Sequence, residues 1–216
     1  MLKIDKTKEY SLEEALDLIK KNPSAKFEES IEIHLRLGIN PKKTEQQVKG
    51  TVILPHGLGK EKKIAAFVTP EKEEEAKKAG ADIVGGTDLI EQIKKSGKCE
   101  FDLAVAEPAL MKDLAQIARI LGPKGLMPSP KNETVSTNIG QTIKELKKGK
   151  ITFKNDDSGV LHQVVGKISW PLEKLKENIE AFIEAVRRAR PAGIKGNYFR
   201  SITLCSTMGP GIKIKL

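Results

Sequence analysis

The sequence predicts two folds in one chain: an α+β unit assembled from both ends, and an α/β unit with a mostly parallel sheet inserted into it. Three observations carry this. Near both ends, strand-like runs alternate apolar with polar or basic residues, the period of a half-buried antiparallel strand. From about Lys60 to Gly149, short apolar runs alternate with helical segments over short connections, the pattern of an α/β layer. The two junctions, "LPHGLGK" and "KKGKIT", both carry glycine, and an inserted unit needs its junctions close in space. The expected boundaries are 1–57 with 150–216 for the split unit and 58–149 for the insert, with Gly57, Gly59 and Gly149 as hinge residues.

Each element has a local cause. Ser11 and Glu14 form an S-x-x-E capping box, and Leu12, Ala15, Leu16 and Ile19 then share one helical face. In "KFEESIEIHLRLG", Ile31, Ile33, Leu35 and Leu37 alternate with Glu32, His34 and Arg36, which predicts a strand. "INPKKTEQQ" is a polar loop, and "GTVILP" a strand stopped by Pro55. In the insert, "KIAAFV", "ADIVG" and "FDLAVAE" are strands. Helices follow as "PEKEEEAKKAG", with Pro70 near its start and Gly80 past its end, as "TDLIEQIKKSG", and as "PALMKDLAQIARIL" opened by Pro108. A Gly/Pro-rich loop, "LGPKGLMPSPK", leads to a last helix near "NIGQTIKELKKG". Beyond Lys150, "ITFK" and "VLHQVVGK" flank the turn "NDDSG" and read as a hairpin. Pro171 opens a helix with Ile179, Phe182, Ile183 and Val186 on one face, and "FRSITLCST" and "IKIKL" are closing strands.

Composition narrows the function. The 216 residues carry a net charge of +9, which points to a polyanionic partner. Residues 1–56 with 150–216 hold 22 basic and 15 acidic residues, whereas 57–149 hold 16 and 14, so the split unit carries the excess. Aromatics are only 4%, so a nucleic-acid partner would be met by shape and backbone contacts more than by stacking. Two cysteines without a CxxC fit a reducing compartment. The start has no apolar signal-peptide core and no run reaches bilayer length, so the expectation is a soluble, cytoplasmic protein with no membrane partner.

Catalysis finds little support. "HGLGK" lacks the phosphate-loop spacing, with Glu61 after Lys60, and "AGADIVGG" has no dinucleotide fingerprint. His34, His56 and His162 lie far apart in the chain with no metal-ligand spacing, and neither cysteine sits in a nucleophile motif. No catalytic residue, metal or cofactor is expected. A ligand at the strand ends of the insert remains the enzyme alternative, and a generic DNA-binding protein a third reading, though no helix-turn-helix or zinc finger is visible. Residues 185–216 hold seven basic residues and no acid; Arg187, Arg188, Arg190, Lys195 and Arg200 lie beside glycines, as a phosphate-binding ribbon would need. Within this stretch Met208, an apolar side chain, stands beside the Gly209-Pro210-Gly211 turn, where polar residues are usual.

Three long stretches carry a resemblance: "KFEESIEIHLRLGINPKKTEQQVKGTVILPHGLGK", "ARILGPKGLMPSPK" and "ENIEAFIEAVRRARPAGIKGNYFRSITLCSTMGP". Together, over about Tyr10 to Lys215, they resemble the bacterial large-subunit ribosomal protein family known as L-one. That resemblance implies a Rossmann-like, three-layer insert in a split α+β domain, and no enzymatic activity. It implies binding to the mobile stalk of large-subunit rRNA near the tRNA exit site, transient contact with exit-site tRNA, help in tRNA release, and a monomer off the ribosome. It also implies repression of translation through the messenger of its own operon. By motif, the RNA contacts it implies are Lys26, Phe27, Glu29 and Ser30 from "KFEES", Thr207, Met208 and Gly209 from "STMGP", Ser201 on the preceding strand, and Asp156 from "NDDSG". Three of these have a plainer reading: Phe27 as a staple on the first helix, Ser30 as a strand-edge residue, Asp156 as a turn former. Bacterial members often begin with a longer basic arm; here "MLKIDKTKE" precedes "YSLEEA", so any rRNA contacts of that arm are expected to be missing or reduced.

Overall fold

The computed structural model describes residues 8–23, 25–59, 62–130, 133–194 and 196–215. Lys60 and Glu61 of the first junction, Lys195 of the basic stretch and the first seven residues of the arm lie outside the described residues. The chain divides into two compact units, Met1–Gly59 with Gly149–Leu216, and Lys60–Lys148.

The split unit is built on antiparallel strands. β1 (Ser30–Leu37), β7 (Val160–Lys167), β8 (Phe199–Ser206) and β9 (Ile212–Ile214) form one sheet in the order β7-β1-β8-β9. β2 (Lys49–Ile53) and β6 (Lys150–Lys154) form a separate ribbon. Helices α1 (Leu12–Lys21) and α7 (Leu172–Arg188) supply the apolar stripes that cover the inner face. The capping box of α1 forms, with the Glu14 N–H on Ser11 Oγ at 3.3 Å and the Ser11 N–H on Glu14 Oε2 at 3.0 Å. Leu16, Ile31, Ile33, Leu35, Ile179 and Phe182 are fully buried together, and Phe153 from the ribbon packs edge-on to Phe182 at 5.6 Å. Each such side chain contributes roughly 1.5–3 kcal/mol by leaving water.

The hairpin expected around "NDDSG" does not form: β6 pairs with β2, and β7 pairs with β1. The cause is local. The buried Asn155 accepts the Val48 N–H on its side chain at 2.7 Å, and its own N–H goes to Val48 O at 3.0 Å, so the ribbon runs one pair further. Asp156 Oδ1 then accepts the N–H groups of Ser158 and Val160 at 2.9 and 2.7 Å, turning the chain a corner into a different sheet.

Tyr198 closes the bottom of this core. Its hydroxyl donates to Val186 O at 3.1 Å, and burial pushes its phenol up to about 12, against the opposing Arg190 guanidinium. The folded state thus holds the phenolic proton more tightly than the unfolded one. This stability contribution is complete below the ordinary value of 10.0 and is lost as pH rises towards about 12. An absorbance titration of tyrosinate is expected to show one late component that Tyr198→Phe removes. If that variant titrates like the parent, the burial argument fails.

The second unit has a parallel sheet, β3 (Ile64–Phe67), β4 (Ile83–Gly85) and β5 (Leu103–Ala106), in the order β4-β3-β5. Alternate residues of β3 face opposite ways. Ala65 and Phe67 pack with Ile90 and Ile93 of α3 (Thr87–Ser96), whereas Ile64 and Ala66 pack with Ala76 of α2 (Glu73–Ala79) and with Ile139 and Ile143 of α6 (Ile139–Lys147). Helices on both faces of one parallel sheet make three layers. The long helix expected after Pro108 is instead broken into 3-10 turns alternating with α4 (Met111–Leu114) and α5 (Ala118–Leu121). Leu110, Leu114, Ile117 and Leu121 are all buried, so the tightened turns keep the apolar stripe on the sheet. No helix among the described residues is long and apolar enough to cross a membrane.

Candidate nucleic-acid interface

Two segments far apart in sequence are laced together at one end of the four-stranded sheet. The antiparallel register sets Ile31 opposite Ser206, so the ends of β1 and β8 meet. Beyond the ladder, the Thr207 N–H reaches Ser30 O at 3.1 Å and the Ser30 N–H reaches Thr207 Oγ1 at 3.0 Å. Glu29 lies beneath. Its Oε1 accepts the Met208 N–H at 3.0 Å and the Ser206 hydroxyl at 3.2 Å, and its carbonyl accepts the Ile168 N–H at 3.0 Å. Lys167 Nζ donates to Ser30 Oγ at 3.1 Å.

The turn so held presents Met208 to solvent, 66% exposed, and Phe27, in the segment that leads into β1, is 57% exposed. Among the described residues only Ile53 joins them as an exposed large hydrophobic. Phe27 is therefore not a staple on α1. Lys26 is exposed beside it. Gly209 has an internal reason to be glycine: a Cβ there would lie 2.3 Å from Ser206 Oγ.

Glu29 differs from the other expected contacts in being only 1% exposed, its carboxylate turned inward to accept from the turn. Burial of a carboxylate is tolerated because it is hydrogen-bonded. The structure brings Ser30, Thr207, Met208 and Gly209 together at Glu29, with Lys26 and Phe27 in the segment just before it. Ser201 and Asp156 lie elsewhere. Ser201 pairs with Arg36, and Arg36 also pairs with Val160 next to the Asp156 turn, about 17 Å along the strands from Ser206. Asp156 does shape its turn, and the backbone N–H groups of Val160 and Ser158, with His162, hold its carboxyl below the usual range despite some burial.

The basic stretch is partly engaged in the protein itself. Arg188 pairs with Glu184 at 2.6 Å, and Arg190 donates to Ile194 O and Gly196 O, holding its own loop closed; Arg187 and Arg200 are exposed. At the junctions, Gly57, Gly59 and Gly149 all have left-handed φ angles of 64, 70 and 99°. A Cβ on Gly149 would lie 2.4 Å from Gly57 Cα, so the two chain passes press together there. Buried Asn178 on α7 accepts the His56 N–H at 3.1 Å and donates to Gly57 O and Val165 O at 3.0 and 2.8 Å.

Sequence reasoning missed Ser206, Lys167 and Asn178, which hold these segments from below. It also set the histidines far apart. Register pairs His34 with His162, and their Nδ1 atoms are 2.8 Å apart. The alternation of β1 placed His34 on the outer face, but only the pairing of β1 with β7 could have placed His162 beside it.

Open α/β sheets bind ligands outside the carboxyl ends of their strands. Here Thr69, just past β3, donates its N–H and hydroxyl to Glu107, just past β5, at 3.2 and 2.9 Å. Lys72 adds a 2.9 Å ion pair to the same carboxylate, a hydrogen bond that holds it below the usual carboxylate range. The ends of β3 and β5 are thus bridged by the protein's own hydrogen bonds and ion pair.

Comparison with known proteins adds to this geometry. The profile of the "Ribosomal protein L1p/L10e family" matches residues 19–210. A "Large ribosomal subunit protein uL1" of Kosmotoga olearia is 49% identical over 98% of this chain and 91% of its own length. Proteins of the same name from Thermosipho africanus and Solidesulfovibrio magneticus are 48% and 50% identical over 98% of this chain, and over 91% and 89% of their own lengths.

Proposed function

Because the chain belongs to the ribosomal protein L1p/L10e family, we propose that it is an rRNA-binding component of the large ribosomal subunit, docked on the mobile stalk beside the tRNA exit site. There it assists tRNA release and meets exit-site tRNA transiently. The same surface binds a similar fold in the messenger of its own operon and represses translation. The protein is not an enzyme. The two units are a split RNA-binding domain and an insert, joined through Gly57, Gly59 and Gly149 as hinge. The observation that supports the reading is the exposed Met208 on a turn tied down by Glu29 and Thr207, with exposed Phe27 two residues before Glu29 in the chain.

The chemistry suits folded RNA. The minor groove of A-form RNA is wide and shallow and lined with 2′-hydroxyls. Gly209 keeps the turn low, the Thr207 hydroxyl, whose proton goes to Ser30 O at 3.3 Å, accepts from a ribose 2′-hydroxyl, and Ser201, further along the sheet, exchanges hydrogen bonds with another ribose. Met208 gives a polarizable contact to riboses and base faces, and Phe27 stacks. Lys26 and the arginines meet phosphate and set orientation and on-rate.

The test is binding to a stalk-type rRNA hairpin and to an unrelated duplex of equal length across a salt series. Selective binding that survives at higher salt is expected. Equal binding that collapses together for both RNAs would leave only a charge effect. Two variants divide the labour. Met208→Ala is expected to weaken binding on the order of tenfold with an unchanged salt slope. Lys26→Ala is expected to lower that slope by about 0.7–0.9, one phosphate's worth. Equal slope changes in both would refute the division.

A further inference from the structure

We propose that the outer face of the four-stranded sheet holds a zinc-class transition-metal ion through Cys205 Sγ, His34 Nε2 and the Glu32 carboxylate. The three come together by strand geometry alone. Glu32 and His34 are two apart on β1 and so share a face, and Glu32 is directly opposite Cys205 on β8. Their ligand atoms lie within 4.8 Å of one another, with His34 Nε2 3.1 Å from Cys205 Sγ. A tetrahedral zinc ion spaces nitrogen and sulfur ligands by about 3.6 Å, so closing on an ion takes only small side-chain movements. Thiolate, imidazole and carboxylate together suit zinc or cobalt, and three protein ligands leave a fourth position to water. All three residues are half-buried on a rigid sheet, which limits competition from solvent.

The groups behind His34 select its metal-binding tautomer. Asp156 Oδ1 is occupied by the N–H groups of Ser158 and Val160, and its Oδ2 faces His162 Nε2 at 3.5 Å. That carboxylate favours the proton on His162 Nε2, leaving His162 Nδ1 as acceptor. His34 must then donate from Nδ1 across the 2.8 Å contact, and its Nε2 lone pair is left pointing at Cys205. A carboxylate–histidine chain behind a ligating histidine is the usual means of orienting it. A metal takes the sulfur as thiolate, so ion uptake releases the Cys205 thiol proton to solvent. Arg36 and Lys213 lie on the same face, one register step further from the cluster.

The test is titration of the reduced, metal-free full-length protein with cobalt(II) alone, without RNA. A thiolate-to-cobalt charge-transfer band is expected, reversed by zinc. Cys205→Ser and His34→Gln should abolish it, and Cys99→Ser should keep it. His162→Gln should weaken cobalt affinity about tenfold or more with the band's shape retained. Absence of the band in the unmodified protein overturns the proposal, whatever the variants do. So does a band that survives Cys205→Ser. An affinity indifferent to His162→Gln overturns the orienting chain.

Discussion

Glu29→Ala is expected to lower the stability of the split unit by about 2–4 kcal/mol and to cut affinity for the stalk RNA on the order of a hundredfold. The first effect follows from burial. The carboxylate is 1% exposed and accepts from both the Met208 N–H and the Ser206 hydroxyl; alanine leaves these donors without their acceptor and opens a cavity. The second follows from order. On the proposed reading Met208 serves the RNA because the turn beneath it is fixed; once the turn is loose, the entropy of ordering it falls on binding. Trp170, the only tryptophan, lies in the split unit and reports its unfolding in urea. RNA affinity is then measured well below the midpoint, where the variant is folded. A stability loss with unchanged affinity would mean that the turn is scaffolding and that the RNA surface lies elsewhere.

What was legible in the sequence was what local rules decide. The alternation of Ile31, Ile33, Leu35 and Leu37 gave β1 its inner face, and Ser11 with Glu14 gave the start of α1. The change of pattern at the insert gave its parallel sheet. What was not legible depends on which strand meets which. The two strands around "NDDSG" look like a hairpin because they are adjacent in sequence; Asn155 and Val48, 107 residues apart, divert one of them into the ribbon. The same blindness applied to the sites. Family likeness named the residues of the turn, yet not that Glu29 works from beneath it. His34, His162 and Cys205 carry no motif, because their proximity is a product of register and not of spacing.

The second large effect is expected at Asn178. Asn178→Leu keeps nearly the same volume but leaves the His56 N–H and the carbonyls of Gly57 and Val165 unmatched inside the protein, a cost of about 3–5 kcal/mol. Its natural comparison is Gly149→Ala. That substitution forces a Cβ to within 2.4 Å of Gly57 Cα at a left-handed φ of 99°, and so displaces the segment that Asn178 holds. Since both act on Gly57, their effects should not add. Once the segment has moved, the asparagine has nothing left to bind, and the double variant should be less destabilised than the sum by about 1 kcal/mol or more. Urea unfolding followed by Trp170 fluorescence in the full chain measures all three. Strict additivity would show that the asparagine and the glycine pair stabilise the split unit independently, and that no single anchored segment exists at Gly57. A small effect of Asn178→Leu alone, under about 1 kcal/mol, would show that water or a shifted backbone satisfies the orphaned groups.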